Sequence, residues 1–391
     1  MTAIENGFDP ILAMMRGEYV ETGWLHFIAT PDTKDLMHTV REKIQHILDT
    51  AHAANPAIYK KRNITFQVLE GYGQFANGES IASIDTSVRG KHVYYFSDPH
   101  GDSKHYNKDT KKFEERSLND KLMHDILALW ALKENWAKSV NLVLQNVPYA
   151  RQDKSTPNKR EAASLDRIWG WISDITGENG YVLCMDLHNP ASKSSFKDTN
   201  FINLYSGWFV KRVVEMAREE DEWFTPVIAP ADQGWYGKTS KIAEEYQFWN
   251  VISIKTRDYT TKNKVSNVNV IWDIEGKDII VHDDILDTGG TLVTLLEKLL
   301  EKKPRSIRVA ITHGLFNADA FAKLSSVIIK SNQVIKWVYV SDSVYKEIEA
   351  YEWIKRVSTS DILTNSILSI FQDFPVRRGN DTDYAAEEEK A

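Results

Sequence analysis

One cysteine in 391 residues, Cys184, leaves nothing for an internal disulfide to pair with. Its place in the apolar run 181–185 marks it as a small buried side chain. No continuous apolar stretch reaches the length of a membrane span, and the N-terminus has no basic region followed by an apolar one. Neither a transmembrane helix nor a secretory signal is therefore expected, and the setting reads as cytoplasmic. The formal net charge is −7 and no basic stripe interrupts it, which argues against nucleic acid as a partner. No repeat of short fixed period is present. What remains is an ordinary soluble composition, 42% hydrophobic and 26% charged, in a chain long for one core. Two α/β domains are the expectation.

The stretch 278–291, DIIVHDDILDTGGT, organises the rest. Ile279, Ile280 and Val281 form a short β-branched run of the kind that makes a parallel strand covered on both faces. Asp287, Thr288, Gly289, Gly290 and Thr291 follow, just where residues 292–300 begin a helical apolar pattern. Two residues without a Cβ let backbone amides close on a phosphate at a helix N-terminus. Asp283 and Asp284 stand at the carboxyl end of the strand, where paired carboxylates can accept hydrogen bonds from vicinal hydroxyls of a sugar. Diol beside phosphate describes ribose 5-phosphate. The competing reading is an acidic turn before a Gly-rich helix start.

Along the chain, strands are expected at 24–30, 64–69, 92–96, 140–147, 181–185, 226–229, 251–254, 308–312 and 334–340. Helices are expected at 33–51, 117–140 and 362–371. In the second helix Ser117 caps, Asp120 holds the capping-box position, and Leu122, Ile126, Leu129, Trp130 and Leu132 form the buried face. Chemistry-bearing residues recur at strand ends: Arg151, His188, Asp232, Lys255 and Asp283. Arg151, Gln152 and Asp153 can hold a triphosphate and a ribose, or form a solvated charge run. Phe75 is either a packed loop aromatic or, with Asn77 and Glu79, a purine contact. His188 places a metal-capable imidazole at the sheet edge. A long polar loop runs on from Lys255 and Arg257 to residue 269, as lids often do.

With these residues in view, the chain resembles a ribose-phosphate pyrophosphokinase, the phosphoribosyl pyrophosphate synthetase family. The resemblance runs from about residue 24 to about residue 370. It includes FANGES at 75–80, SVRG at 87–90, NDKLM at 119–123, PYARQDK at 148–154 and MDLH at 185–188. It continues through NLY at 203–205, KTR at 255–257, DDILDTGGT at 283–291 and THGLF at 312–316. Type I phosphoribosyltransferases share only the 283–291 part.

The resemblance implies two tandem phosphoribosyltransferase-type, Rossmann-like α/β domains with mainly parallel sheets, assembled as a homo-oligomer built on dimers or hexamers. The division expected is an arm at 1–22, an ATP-side domain at 23–206 and a ribose-phosphate domain at 207–345. A helical segment at 346–372 and an acidic disordered tail at 373–391 complete it. It further implies that Phe75, Asn77 and Glu79 hold adenine across a dimer interface, and that Arg151, Gln152, Asp153 and His188 bind ATP. His188 and Asp232 would hold Mg²⁺, Asp232 on the ribose-phosphate side. Lys255 and Arg257 would act on the transferring diphosphoryl group, and Asp283, Asp284 and Asp287 to Thr291 would bind the acceptor.

The sequence departs from the family after Asp232, where Gly234 is followed by Trp235 and Tyr236 instead of small residues. These aromatics either pack locally or stack on a second base, in which case ADP-ribose becomes a candidate acceptor. Some virus-encoded relatives are associated with that substrate in NAD⁺ rebuilding, and for such a relative the setting would be the host cytoplasm. Two further classes remain. A phosphoribosyltransferase would show no ATP dependence, and a non-catalytic regulatory relative should have lost its Lys, Arg, His and Asp positions, all of which stand here.

Overall fold

Strand β1 (Trp24–Ala29) buries every residue after Trp24. A strand can do so only when both faces of its sheet are covered. The computed structural model describes residues 24–372 apart from 58, 60, 108–111, 156–159, 197–198, 232–235, 251–252, 258–264 and 271–272. For 105–107, 112–113, 249–250, 253–257 and 265–270 it describes backbone alone. The chain divides into two units between Leu204 and Tyr205, with residues 359–372 returning to the first.

In the first unit, helix α1 (Lys34–Ala54) follows β1 and buries Met37, Val40, Ile44, Leu48 and Ala51, a stripe at three- and four-residue spacing. Strand β2 (Thr65–Val68) leads to a small hairpin, β3 (Gly73–Gln74) and β4 (Ser80–Ile81), then to β5 (Lys91–Phe96). A second hairpin, β6 (His105–Asn107) and β7 (Lys112–Glu114), precedes α2 (Leu118–Glu134). Strand β8 (Ser139–Val143), helix α3 (Ser164–Thr176), β9 (Tyr181–Met185) and β10 (Asn200–Leu204) complete the unit. The six long strands form a parallel sheet in the order β10-β9-β8-β5-β1-β2. Alternation sends Val93 and Tyr95 into one core, under α2 and α3, and Tyr94 and Phe96 into the other, under α1.

Helix α2 starts as expected. Ser117 Oγ accepts from Asp120 N at 3.2 Å while Asp120 Oδ2 accepts from Ser117 N at 3.2 Å, a reciprocal cap worth about 1 kcal/mol. Two expectations are corrected here. The helix stops at Glu134, because residues 139–143 pair with β5 as a strand. Trp130 is 39% exposed beneath Lys133, while Leu122, Ile126, Leu129 and Leu132 supply the buried face.

The second unit contains α4 (Gly207–Glu220), β11 (Pro226–Pro230), α5 (Tyr236–Glu245), β12 (Trp249–Asn250), β13 (Ser253–Arg257), β14 (Val265–Val270) and β15 (Asp278–Leu286). Helix α6 (Gly290–Glu301), β16 (Ser306–Gly314), α7 (Ala320–Lys330), β17 (Ile335–Ser341) and β18 (Ile354–Val357) follow. Its parallel sheet runs β12-β11-β15-β16-β17-β18. Here Ile279 and Val281 face the core under α6 and α7, and Ile280 faces the one under α4.

The segment 346–372 is not helical throughout. Strand β18 takes 354–357, and α8 (Ser360–Phe371) crosses to the first unit, where Leu363, Ile367, Leu368 and Phe371 pack with α1. Among the described residues no helix is long and apolar enough to cross a membrane.

Both sheets read 2-1-3-4-5-6 in strand order when the six strands of each unit's main sheet are numbered in sequence. The reversal falls between β1 and β5 in the first unit and between β11 and β15 in the second. Such switch points open a crevice beyond the carboxyl ends of the strands.

Candidate active site

The turn 287–291, expected to bind ribose phosphate, lies at the second unit's switch point. Strand β15 is longer than its apolar run, so Asp283 and Asp284 sit inside it and Asp283 pairs with Ile311 of β16. Asp283 is half-buried and its Oδ1 accepts from Asp284 N at 3.0 Å; the Asp284 side chain is buried. The turn then passes Asp287 and Thr288 to Gly289, the N-cap of α6, which adopts φ 73° and ψ −5°. That left-handed conformation is one a residue with a Cβ adopts at a cost, which explains the glycine. The first amides of α6, from Gly290 and Thr291 on, have no intrahelical acceptor and carry the positive end of the helix dipole. Thr288 and Gly290 are exposed and Thr291 half-buried, so an anion can reach those amides.

The loop is gripped from the strand beside it. Leu315 N donates to Leu286 O at 2.8 Å and Asn317 N to Asp287 O at 3.0 Å. Asn317 Nδ2 donates to Asp287 Oδ1 at 2.8 Å, and Lys323 Nζ reaches Thr288 O at 3.5 Å. Rings of Phe316, Phe321 and Tyr351 stack in series behind it, 4.5 and 4.2 Å apart. Sequence reading missed Asn317. Its one signal is its position directly after the THGLF motif.

In the first unit the expected ATP residues occupy two places. Phe75, Asn77 and Glu79 ride on the β3–β4 turn, all exposed, with Phe75 N donating to Glu79 O at 2.8 Å. Asn77 Oδ1 accepts from Glu79 N at 3.2 Å and shapes the turn. Arg151 and Gln152 are exposed on the loop after β8, and Asp153 is half-buried. Burial raises the Asp153 pKa, but hydrogen bonds from Asn189 and Ser192 and the charge of Lys154 outweigh it and hold the carboxyl below its ordinary range. Asn189 directly follows His188, which is exposed beyond β9. The structure thus joins PYARQDK to the segment directly after MDLH through the Asp153–Asn189 and Asp153–Ser192 bonds. Asn189 and Ser192 carried no sequence signal of their own.

Lys255 and Arg257 require a correction of place. They lie within β13, which pairs antiparallel with β14 in a ribbon of its own, with a register shift between Thr256 and Arg257. The expected strand at 251–254 and the loop after it are therefore a hairpin in part. Asp232 and Trp235 lie outside the described residues. Tyr236 opens α5 and is 38% exposed.

Comparison with known proteins fits this geometry. The family model described as the N-terminal domain of ribose phosphate pyrophosphokinase matches residues 44–169, and that described as the phosphoribosyl synthetase-associated domain matches 243–376. A ribose-phosphate pyrophosphokinase of Mycoplasma genitalium is 28% identical over 289 residues, 73% of this chain and 79% of that protein. One from Wolinella succinogenes is 30% identical over 254 residues, 64% of this chain and 73% of that protein. In fold, the crystal structure of phosphoribosylpyrophosphate synthetase from Mycobacterium smegmatis superposes with a TM-score of 0.69 at 22% identity, covering 90% of this chain and 99% of that one. The shared two-unit α/β fold, the two matched domains and these relatives place the chain in the ribose-phosphate pyrophosphokinase family.

Proposed function

We propose that the protein transfers the β,γ-diphosphoryl group of ATP to the anomeric hydroxyl of ribose 5-phosphate, releasing AMP. The observation that carries this is the turn 287–291, with Gly289 left-handed at the start of α6 and Asp283 on the strand leading in. It offers amides to a 5-phosphate and a carboxylate to the ribose diol. Relatives named ribose-phosphate pyrophosphokinase supply the reaction class.

In this reading the hydroxyl oxygen bonds to the β-phosphorus of ATP and gives up its proton to solvent, the bond from that phosphorus to the α,β-bridging oxygen breaks, and AMP departs. Little covalent work falls to the protein, so its residues orient and neutralise. Phe75, Asn77 and Glu79 hold the adenine, and Arg151, Gln152 and Asp153 the ATP phosphates and ribose. Lys255 and Arg257 offset charge on the transferring diphosphoryl oxygens.

His188 and Asp232 would hold Mg²⁺. No three His, Cys, Asp or Glu side chains among the described residues gather as a metal cluster. An ion carried in on ATP phosphates needs only one or two protein ligands. Bound there, Mg²⁺ supplies Lewis-acid neutralisation of phosphoryl oxygens. A homo-oligomer is the proposed assembly, supported by Met123, Trp130, Phe75 and Ile81, large apolar side chains left 39–54% exposed in the first unit.

The test is AMP release from ATP and Mg²⁺, with ribose 5-phosphate and ADP-ribose offered in parallel and the product identified by mass. Turnover with ribose 5-phosphate is expected. Preference for ADP-ribose would change the acceptor and direct attention to Trp235 and Tyr236. Consumption of a phosphoribosyl donor without ATP would indicate a phosphoribosyltransferase, and silence with both acceptors a non-catalytic relative.

A further inference from the structure

The two units share one strand order but use their switch points differently. In the second unit the crevice holds the phosphate loop. In the first, the matching position between β1 and β5 is filled from within by charged side chains that the proposed chemistry does not use.

Asp32, just after β1, and Lys121, in the first turn of α2, are both almost fully buried, with side-chain exposures of 0% and 1%. Lys121 Nζ donates to Asp32 Oδ2 at 2.8 Å and to Gly101 O at 2.7 Å. Tyr72 OH donates to the same Asp32 oxygen at 2.6 Å, and its ring centroid lies 5.0 Å from the ammonium. Ser103 N donates to Asp32 Oδ1 at 2.8 Å. At Gly101 a Cβ would overlap the Asp32 carboxylate, so the turn after β5 is pressed directly onto it.

Tyr72 is the residue before β3, the hairpin that carries Phe75, Asn77 and Glu79. At the hairpin's base, a Cβ on Gly73 would lie 2.6 Å from Ile81 O. Gln74 Nε2 donates to Gly78 O at 2.9 Å and reaches Asp120 Oδ1, next to Lys121, at 3.5 Å. The tip residues are exposed, so the base and the turn's own hydrogen bonds set where they stand.

We infer that the buried Asp32–Lys121–Tyr72 cluster is a positioning device for the base-contacting hairpin: it locks the hairpin's root to α2 and so sets the affinity for the purine of ATP. The inference rests on the adenine assignment made above. The cluster acts through Tyr72 and touches no substrate. A paired charge this deep is costly to form and costly to break on one side only, which makes it a stiff anchor.

The experiment compares Tyr72→Phe, the double variant Asp32→Asn/Lys121→Met, and Phe75→Ala as reference, all in the full chain. Melting curves establish folding, and Tyr72→Phe, which removes one hydroxyl, is the variant expected to keep it. KM is measured for ATP and for ribose 5-phosphate, with kcat and the ATP-to-GTP preference. The expected result for Tyr72→Phe is a rise in the KM for ATP of about five- to tenfold. Purine preference should relax as well, while kcat and the KM for ribose 5-phosphate stay within about twofold. If Phe75→Ala raises the KM for ATP and Tyr72→Phe does not, the positioning role is overturned and the adenine assignment stands. If Phe75→Ala leaves the KM for ATP unchanged, the assignment falls and takes the inference with it. Equal loss in every parameter would mark the cluster as a stability element alone.

Discussion

Asn317 Nδ2 donates to Asp287 Oδ1 at 2.8 Å while the backbone of the same two residues is joined at 3.0 Å. The first residue of the phosphate turn is thereby fixed from the loop after the neighbouring strand. Asn317→Ala removes one of these two bonds. The expected outcome is a rise in the KM for ribose 5-phosphate of about tenfold with the KM for ATP little changed, read by steady-state kinetics. Asn317→Asp sets two carboxylates together and should weaken acceptor binding further. Equal effects on both substrates would argue against a local role.

Gly289 has ordinary room for a methyl group, the nearest neighbour of an added Cβ being Leu286 Cδ1 at 3.7 Å. Its φ of 73° is the constraint. Gly289→Ala should therefore cost about 1–2 kcal/mol in urea unfolding from backbone strain. It should also weaken acceptor binding, because relief of the strain tilts the amides that face the phosphate. An unfolding midpoint equal to the parent's would show that the turn relaxes freely.

In the proposed reaction, Lys255→Ala removes a cation from the transferring diphosphoryl group. Turnover should fall about 10²-fold or more, with the KM for each substrate within about threefold. A variant with unchanged kcat would remove Lys255 from the chemistry.

Asp125 gives stability a pH dependence of known sign. Burial pushes its carboxyl from 3.8 up to about 7, and hydrogen bonds from Ser97 and Tyr95 counter this only in part. In this window the folded chain keeps a proton that the unfolded chain gives up. The contribution is full below pH 3.8 and is lost as pH rises through about 7, by at most about 1.4 kcal/mol per pH unit. His26 opposes it. Burial, with the charge of Lys91, lowers its pKa from 6.5 to about 4, so its contribution is full above 6.5 and lost as pH falls through about 4. The difference between parent and Asp125→Asn melting curves from pH 5 to 8 isolates the first effect. The parent should lose stability relative to the variant as pH rises; parallel curves would contradict it.

Much of the architecture was legible because the responsible signals are local. Apolar β-branched runs such as 279–281 mark strands covered on both faces, and Ser117 with Asp120 marks a helix start. Spacing predicts Leu36, Val40, Ile44 and Leu48 on one face of α1; the structure buries the last three, together with Met37 and Ala51, and leaves Leu36 half-buried. Trp130 was misread because an aromatic at helical spacing looks like core, yet a cation can cover it in solvent. The β13–β14 ribbon was read as strand and loop because the sequence from 255 to 269 is dominated by Lys, Thr and Asn, which announce a loop more than a strand. Asn317, Asn189 and Ser192 were invisible because their value lies in partners that stand 30, 36 and 39 residues away.

By itself the sequence determined the glycine turn at 287–291 before a helix and the parallel strand that leads into it, since each depends on neighbours within a few residues. Only the tertiary structure decided that the two units share one strand order and that α8 returns to the first. It also decided that one switch point stays open to an anion while Asp32 and Lys121 close the other. Those outcomes depend on long-range pairing and on burying two charges together, and side chains 89 residues apart carry no mark of each other in the chain.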